Sequence, residues 1–404
     1  MSTMISKLSN NTEVFYKINK NTPRIALCLN IKSRQSNFTA GVETLMARLF
    51  MQGTKNRTAE DIANELDSYA IEFSVEARPD YFRFKFVSLN EDFEKSVEIL
   101  SDILKNSTFD DFDREVVKTE GEIIAELDSP RAKVADSYYS TIFENHKYGY
   151  ASSKILENLH NIKKEDILSA YKALMADSKK VISVVGDADY ETISAVLEKY
   201  LKDIPDSVDT ASENNIIPLT QDKYAEIIKP DANQAHIIKG WITESVQSKD
   251  YYPLLLLNII LGASGLSSRL FLELRDKKGL AYVVRSSFET FEQCADFYIY
   301  IATEPKNIDV SLAGFDEEIN KIKTSYVSEQ ELENAKNNML GKWAFTQETN
   351  ENQAILYANY GILGLGFDFN EKTKNKIKTV TARELQDCAN KYFSEPSVLS
   401  VLKP

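Results

Sequence analysis

Cysteine is scarce. Cys28, Cys294 and Cys388 are the whole supply in 404 residues, and they lie far apart. No C-x-x-C occurs, which argues against a disulfide framework and against a thiolate zinc site. A reducing compartment is the simple expectation. Glycine (14) and proline (10) are sparse too, so no large disordered tract is expected. Positive charge is in deficit: 48 Lys and Arg stand against 61 Asp and Glu, a formal net charge of -13. Phosphate backbones need a basic surface, which argues against nucleic acid as a partner. The charge suits an acidic soluble protein kept apart by self-repulsion, or one that takes a basic peptide or protein. No run of about 18 uninterrupted apolar residues occurs, and no membrane partner is expected. The richest stretch, residues 252–263, is too short to span a bilayer and reads as a buried helix. The opening MSTMISKLSNNTEVF has neither an apolar core nor a cleavage-like site. A cytoplasmic chain without an export signal is the expectation.

Apolar residues are plentiful at 43%, ample for a large core, and the length favours two or three domains. Residues 206–222, DSVDTASENNIIPLTQD, are polar and break the periodic pattern, as a linker does. The halves on either side look alike. Residues 162–185 and residues 380–402 each give a capped start, an amphipathic helix and a brief apolar strand. The spacing between them is far longer than a solenoid period, so a duplicated domain is expected rather than an array.

A second correspondence supports the duplication. Ile71, Phe73, Val75 and Ala77 alternate on one face, Arg78-Pro79-Asp80 turns the chain, and Phe82, Phe84 and Phe86 alternate again. Residues 281–290 and 294–303 form the equivalent hairpin. Each hairpin precedes an amphipathic helix (93–104 and 310–322) and then a long polar-rich one (111–127 and 328–346). The expected fold is therefore α+β: two homologous domains, 1–205 and 223–404, joined by the 206–222 linker. Each is a mainly antiparallel sheet with helices packed on one face.

Residues 41–52, GVETLMARLFMQ, place Val42, Leu45, Met46, Leu49 and Phe50 on one buried stripe, with Thr44 and Arg48 together on another face. With Gly53-Thr54 and Arg57-Thr58-Ala59 following, this stretch resembles the signature helix of the pitrilysin and mitochondrial processing peptidase family. Active members carry H-x-x-E-H there, two zinc-binding histidines and a glutamate that activates the metal-bound water. Here the five positions read Thr44-Leu45-Met46-Ala47-Arg48. The chain has only His146, His160 and His236, and no two are four residues apart. A different zinc site built on two nearby histidines of one helix is excluded by counting. Structural or surface roles are expected for all three. Glu122, in EGEIIAELDSP, matches the glutamate that supplies the family's third zinc ligand, and Glu115 matches another glutamate two turns earlier. The resemblance thus implies a degenerate zinc site at Thr44, Ala47, Arg48 and Glu122, with no cofactor in this chain. Arg48 and Glu122 are expected to form an ion pair where the metal would sit; the bland alternative is that Arg48 reaches into solvent.

Residues 267–278, SSRLFLELRDKK, give an apolar stripe at Leu270, Phe271 and Leu274, with Ser267 as a cap and Gly279 as the stop. Arg275 near the helix end and Tyr282 at the start of the next strand are ordinary by themselves. The run LGASGLSSRLFLELRDKKGLAYVV, however, is similar to the family's second domain. There the Arg and Tyr at these places bind the substrate carbonyl beside the zinc, and by resemblance Arg275 and Tyr282 take those roles. In two-subunit bacterial members one chain bears the zinc motif and the other the Arg–Tyr pair. The resemblance therefore implies a non-catalytic, peptide-binding subunit of a heterodimeric zinc endopeptidase. It would act on peptides with a homologous zinc-bearing partner. The alternative from another class is a non-enzymatic structural or peptide-binding homologue, as a homodimer or a complex core subunit.

Overall fold

The computed structural model describes residues 3–33, 38–176, 178–209 and 215–404. Contacts divide the chain into two compact units, each discontinuous in sequence. Met1–Gly121, Ile155–Asn214 and Phe345–Phe369 make the first, and Glu122–Lys154, Asn215–Ala344 and Asn370–Pro404 the second.

The strands of the first unit are β1 (Thr3–Lys7), β2 (Glu13–Ile18), β3 (Arg24–Lys32), β4 (Glu72–Ala77), β5 (Tyr81–Leu89) and β6 (Lys180–Gly186). They form one sheet in the order β1-β2-β6-β3-β5-β4. Only the β2/β6 pair is parallel. The second unit holds β7 (Lys223–Ile228), β8 (Ala235–Glu244), β9 (Ala281–Thr290), β10 (Cys294–Thr303) and β11 (Val398–Lys403), in the order β7-β11-β8-β10-β9. Its one parallel pair is β7/β11. Apart from the extra β1, the two sheets share one topology, as a duplicated α+β domain requires. The hairpins read from alternation are β4/β5 and β9/β10, each with its outer strand at a sheet edge.

The central strands explain how the helices are laid down. β6 is buried along its whole length, and β3 along all but its first residue. A strand apolar on both sides needs cover on both faces. In the first unit, Leu27, Leu29 and Ile31 pack with Leu45, Phe50 and Leu100 on one face. On the other, Ala26 and Cys28 meet Ala354 and Ala358 of the helix Asn350–Ile362. In the second unit, Ile237, Ile299 and Ile301 pack with Leu254, Phe315 and Leu385. On the reverse face, Ile238, Tyr300 and Leu402 meet Val134, Tyr138 and Ile142 of the helix Pro130–Ile142. Helix Pro130–Ile142 follows Phe112–Asp128 just as Asn350–Ile362 follows Glu329–Phe345. The two covering helices thus hold equivalent places in the repeat, and each lies on strands from the other half of the sequence. The sheets keep most helices on one face, as the sequence suggests, with this one added behind each.

Residues 206–209 and 215–222 of the expected linker carry no helix or strand, while 210–214 lie outside the described residues. Among the described residues no helix is long and apolar enough to cross a membrane. The apolar stretch at 252–263 is a buried helix, Tyr251–Asn258, that continues into a wider π-helical turn at Ile259–Ala263. That turn lies against β9: a Cβ added to Gly262 would stand 2.0 Å from the backbone nitrogen of Ser286. Only glycine permits this approach, and it seats the edge strand on the helix layer.

Candidate functional site

The first place to look is the helix Val42–Leu49. Its buried side comprises Val42, Leu45, Met46, Ala47 and Leu49. Phe50, just past its end, packs edge-on against Phe84, Phe109 and Tyr171 with ring centroids 5.0–6.0 Å apart. These contacts fix the helix on β5, so the exposed-side residues at 44 and 48 are held in place. Thr44 is half-buried. Arg48 Nη1 donates to Glu115 Oε1 at 3.4 Å, and Glu115 is buried. Lys118 Nζ stands 3.9 Å from the same oxygen. Glu122 follows Glu115 by two turns of the helix Phe112–Asp128 and is exposed. Zinc needs imidazole, thiolate or carboxylate donors at about 2.0–2.3 Å. Arg48 is a permanent cation already bonded to a carboxylate, and Ala47 has no carboxylate with which to activate a metal-bound water. The residues present do not fit the metal. Among the described residues, no group of three or more His, Cys, Asp or Glu is placed to hold a metal ion.

The histidines are spent elsewhere. His146 is buried and accepts from the Tyr148 backbone N–H at 3.2 Å. His160 is exposed and meets Glu120 at 2.9 Å. His236 Nδ1 lies 2.9 Å from the Tyr300 hydroxyl.

Behind the helix, the turn at Gly53 to Thr58 is organised by Arg57. Its guanidinium bonds Glu65 at 3.1 Å, Glu98 at 2.5 Å and Asp102 at 2.9 Å. Asp102 also accepts from Thr54, Asn56 and Asn106. Burial works against its ionisation, but these hydrogen bonds outweigh it and hold the carboxyl below its usual range. Removing Arg57 leaves the buried Asp102 carboxylate without its cation, while Glu65 and Glu98 keep Lys95. Arg57→Ala should cost about 3 kcal/mol of stability, measurable by urea unfolding.

The second place is the end of β9. The helix that leads to it is π-helical from Phe271 to Lys277. Gly279, at φ 62°, then turns the chain into the strand, a conformation L side chains avoid. Ser267, expected to cap this helix, instead lies 3.3 Å from the Ser264 hydroxyl. Alongside β10, Ala302 pairs with Val283 and Thr303 with Ala281, so Tyr282 is the extra residue of a β-bulge. A bulge re-aims its side chain, and Tyr282 is 76% exposed. The Arg275 guanidinium lies between two rings, 4.6 Å from the centroids of both Phe271 and Tyr282. Among the described residues neither the guanidinium nor the Tyr282 hydroxyl has an ion-pair or hydrogen-bond partner. Stacking thus orients the arginine while leaving its N–H donors unspent. Arg275 and Tyr282 do come together, at the edge of the second sheet. Phe271, the second ring beside the guanidinium, shows in the sequence only as part of an apolar stripe, and its i, i+4 spacing from Arg275 is the signal that links the two.

Residues 14–154 match the family description "Insulinase (Peptidase family M16)", and residues 161–339 match "Peptidase M16 inactive domain". The chain belongs to the M16 (pitrilysin and insulinase) peptidase family. Two of its relatives carry names of different kinds. An "uncharacterized zinc protease" of Rickettsia felis is 27% identical over 412 aligned positions, covering 99% of this M16 chain and 97% of the relative. The "non-peptidase homolog YmxG" of Helicobacter pylori is 26% identical over 361 positions, covering 86% and 80%. Solved structures share the fold. A protease from Helicobacter pylori matches at TM-score 0.90 with 20% identity, covering 100% of both chains. A chain of Complex III2 from Candida albicans matches at TM-score 0.82 with 15% identity, covering 99% and 95%.

Proposed function

We propose that this M16 chain is the non-catalytic, substrate-binding subunit of a heterodimeric zinc endopeptidase. Thr44, Arg48 and Glu122 stand at former ligand positions, and Ala47 where the water-activating glutamate would be. Arg275 and Tyr282 complete the active site of a homologous zinc-bearing partner in trans. The observation that carries this reading is the unspent pair of donors. Arg275 is fixed by two rings and Tyr282 is turned outward by a bulge, yet neither polar group serves the fold. A peptide that adds to β9 through backbone hydrogen bonds would bring a carbonyl to them. Two aimed donors then stabilise the oxyanion that forms on that carbonyl. Within this chain Arg48 takes the place of a metal ligand, so zinc and the water it activates belong to the partner.

Metal analysis tests the division of labour. The purified chain should bind no stoichiometric zinc, and a complex captured from cells through a tag on this chain should contain one zinc per pair. Stoichiometric zinc in the isolated chain would overturn the proposal.

The second reading is a non-enzymatic structural or peptide-binding homologue. The relative named as a non-peptidase homolog and the shared fold with a Complex III2 chain favour it. A homodimer in solution, with no zinc-bearing chain in the capture, would select this reading.

A further inference from the structure

The reverse face of the second sheet carries a feature that the proposed reaction does not use. Arg285 on β9 stands opposite Tyr300 on β10 in the strand register. Its guanidinium carbon is 5.7 Å from the Tyr300 ring centroid, and that of Arg131, from the first turn of helix Pro130–Ile142, is 5.6 Å from the same ring. Tyr300 is only 3% exposed, so the ring is a fixed platform, and its hydroxyl is held by His236 Nδ1 at 2.9 Å. Burial, and then the charge of Arg131, push the His236 pKa down, so His236 adds no third positive charge at neutral pH.

Among the described residues neither Arg131 nor Arg285 makes an ion pair or a hydrogen bond, and Arg285 Nε is buried without a partner. Carboxylates of the neighbouring segments are already engaged. Asp128 and Asp231 hold Lys229 at 3.2 and 2.8 Å, Glu289 accepts from the Tyr139 hydroxyl at 3.0 Å, and Asp136 accepts from the Ser153 backbone at 2.8 Å. In the same unit Arg269 takes both oxygens of Glu331. Two guanidiniums gathered on one ring with no counter-ion, in a chain of net charge -13, leave a gap that an anion fills.

We infer that Arg131 and Arg285 form an oxyanion-binding subsite beside β9, and that it takes the carboxylate of an acidic residue in a bound peptide. The source of the carboxylate rests on the substrate-binding reading above; the subsite itself does not. Arg285 lies three residues along the strand from Tyr282, about 10 Å at the usual rise. A peptide strand laid on β9 turns alternate side chains to the face of Arg285. One register therefore places a carboxylate between the two planar forks while a backbone carbonyl meets Tyr282.

The test uses the full chain and ten-residue Ser/Ala/Val peptides with a single Glu moved position by position, each matched to its Gln counterpart. At one register the Glu peptide should bind about tenfold more tightly in fluorescence anisotropy. The double variant Arg131→Gln, Arg285→Gln should erase that preference while binding the Gln peptide as before. Equal binding of Glu and Gln at every register overturns the inference. If no peptide binds at all, the substrate-binding reading fails separately, and inorganic phosphate decides the subsite. A saturable NMR shift of the Arg285 Nε–H, lost in Arg131→Gln, supports it; no saturable shift at constant ionic strength refutes it.

Discussion

Arg275→Ala, assembled with a zinc-bearing homologous partner, should cut peptide cleavage about 100- to 1,000-fold while the pair still forms. The guanidinium is unpaired and stacked between Phe271 and Tyr282, so its removal breaks no ion pair and leaves no buried charge behind. The loss should therefore fall on kcat/KM and not on folding or on the partner's zinc content. Arg275→Lys should not restore activity, because an ammonium lacks the flat face that the two rings hold. Tyr282→Phe keeps the ring against Arg275 and removes only the hydroxyl, so it separates the second donor from the stacking. Steady-state kinetics on a quenched fluorescent peptide, with gel filtration of each variant pair, reads all three outcomes.

Asp296 should make the second unit lose stability as pH rises from about 4 to about 8. Its carboxyl is fully buried and accepts the Tyr138 hydroxyl at 2.5 Å. Burial pushes its pKa from 3.8 up to about 8; the Tyr138 hydrogen bond opposes this and Glu289 adds to it. The unfolded chain gives up this proton near 3.8, whereas the folded chain keeps it until about 8. Between those values the folded state binds more protons, so stability falls with pH by up to about 1.4 kcal/mol per unit. His236 has a depressed pKa and works in the opposite sense through its own range. The comparison of wild type with Asp296→Asn cancels that contribution. Asparagine keeps an acceptor for Tyr138 and cannot ionise. The variant should match the wild type near pH 4 and exceed it by several kcal/mol near pH 8. Urea unfolding across this range checks it; parallel curves for the two proteins would contradict it.

Much of the fold was legible because its signals are local. Alternation alone marks β4 and β5, since Phe82, Phe84 and Phe86 need only their neighbours to declare a face. The repeated helix-then-strand endings, Lys164–Ala176 with β6 and Ala382–Tyr392 with β11, exposed the duplication for the same reason. The covering helices were not legible. Val134, Tyr138 and Ile142 announce a buried stripe, but nothing in their spacing says which sheet they cover. The π-helical winding of Phe271–Lys277 was hidden too, because one wide turn hardly disturbs a 3.6-residue stripe.

The site was legible unevenly. The absence of paired histidines is a matter of counting. The significance of Arg275 and Tyr282 came from resemblance, and the bulge that turns Tyr282 outward has no sequence signature. In the first unit Arg48 is bonded to Glu115, which the sequence marks only as a matching glutamate. The cluster of Arg131, Arg285 and Tyr300 has no sequence signature, because Arg131 comes from a helix far in sequence from the β9/β10 hairpin and only the fold brings it to that ring.

The most direct measurement of the central claim is a mixing experiment with this chain and a homologous chain from the same organism that bears H-x-x-E-H. Each is purified alone and assayed on an unfolded peptide, then assayed at an equimolar ratio. The divided-site account predicts negligible cleavage by either chain alone, with activity appearing on mixing and saturating at one to one. Full activity of the zinc-bearing chain by itself, unchanged when this chain is added, would contradict it.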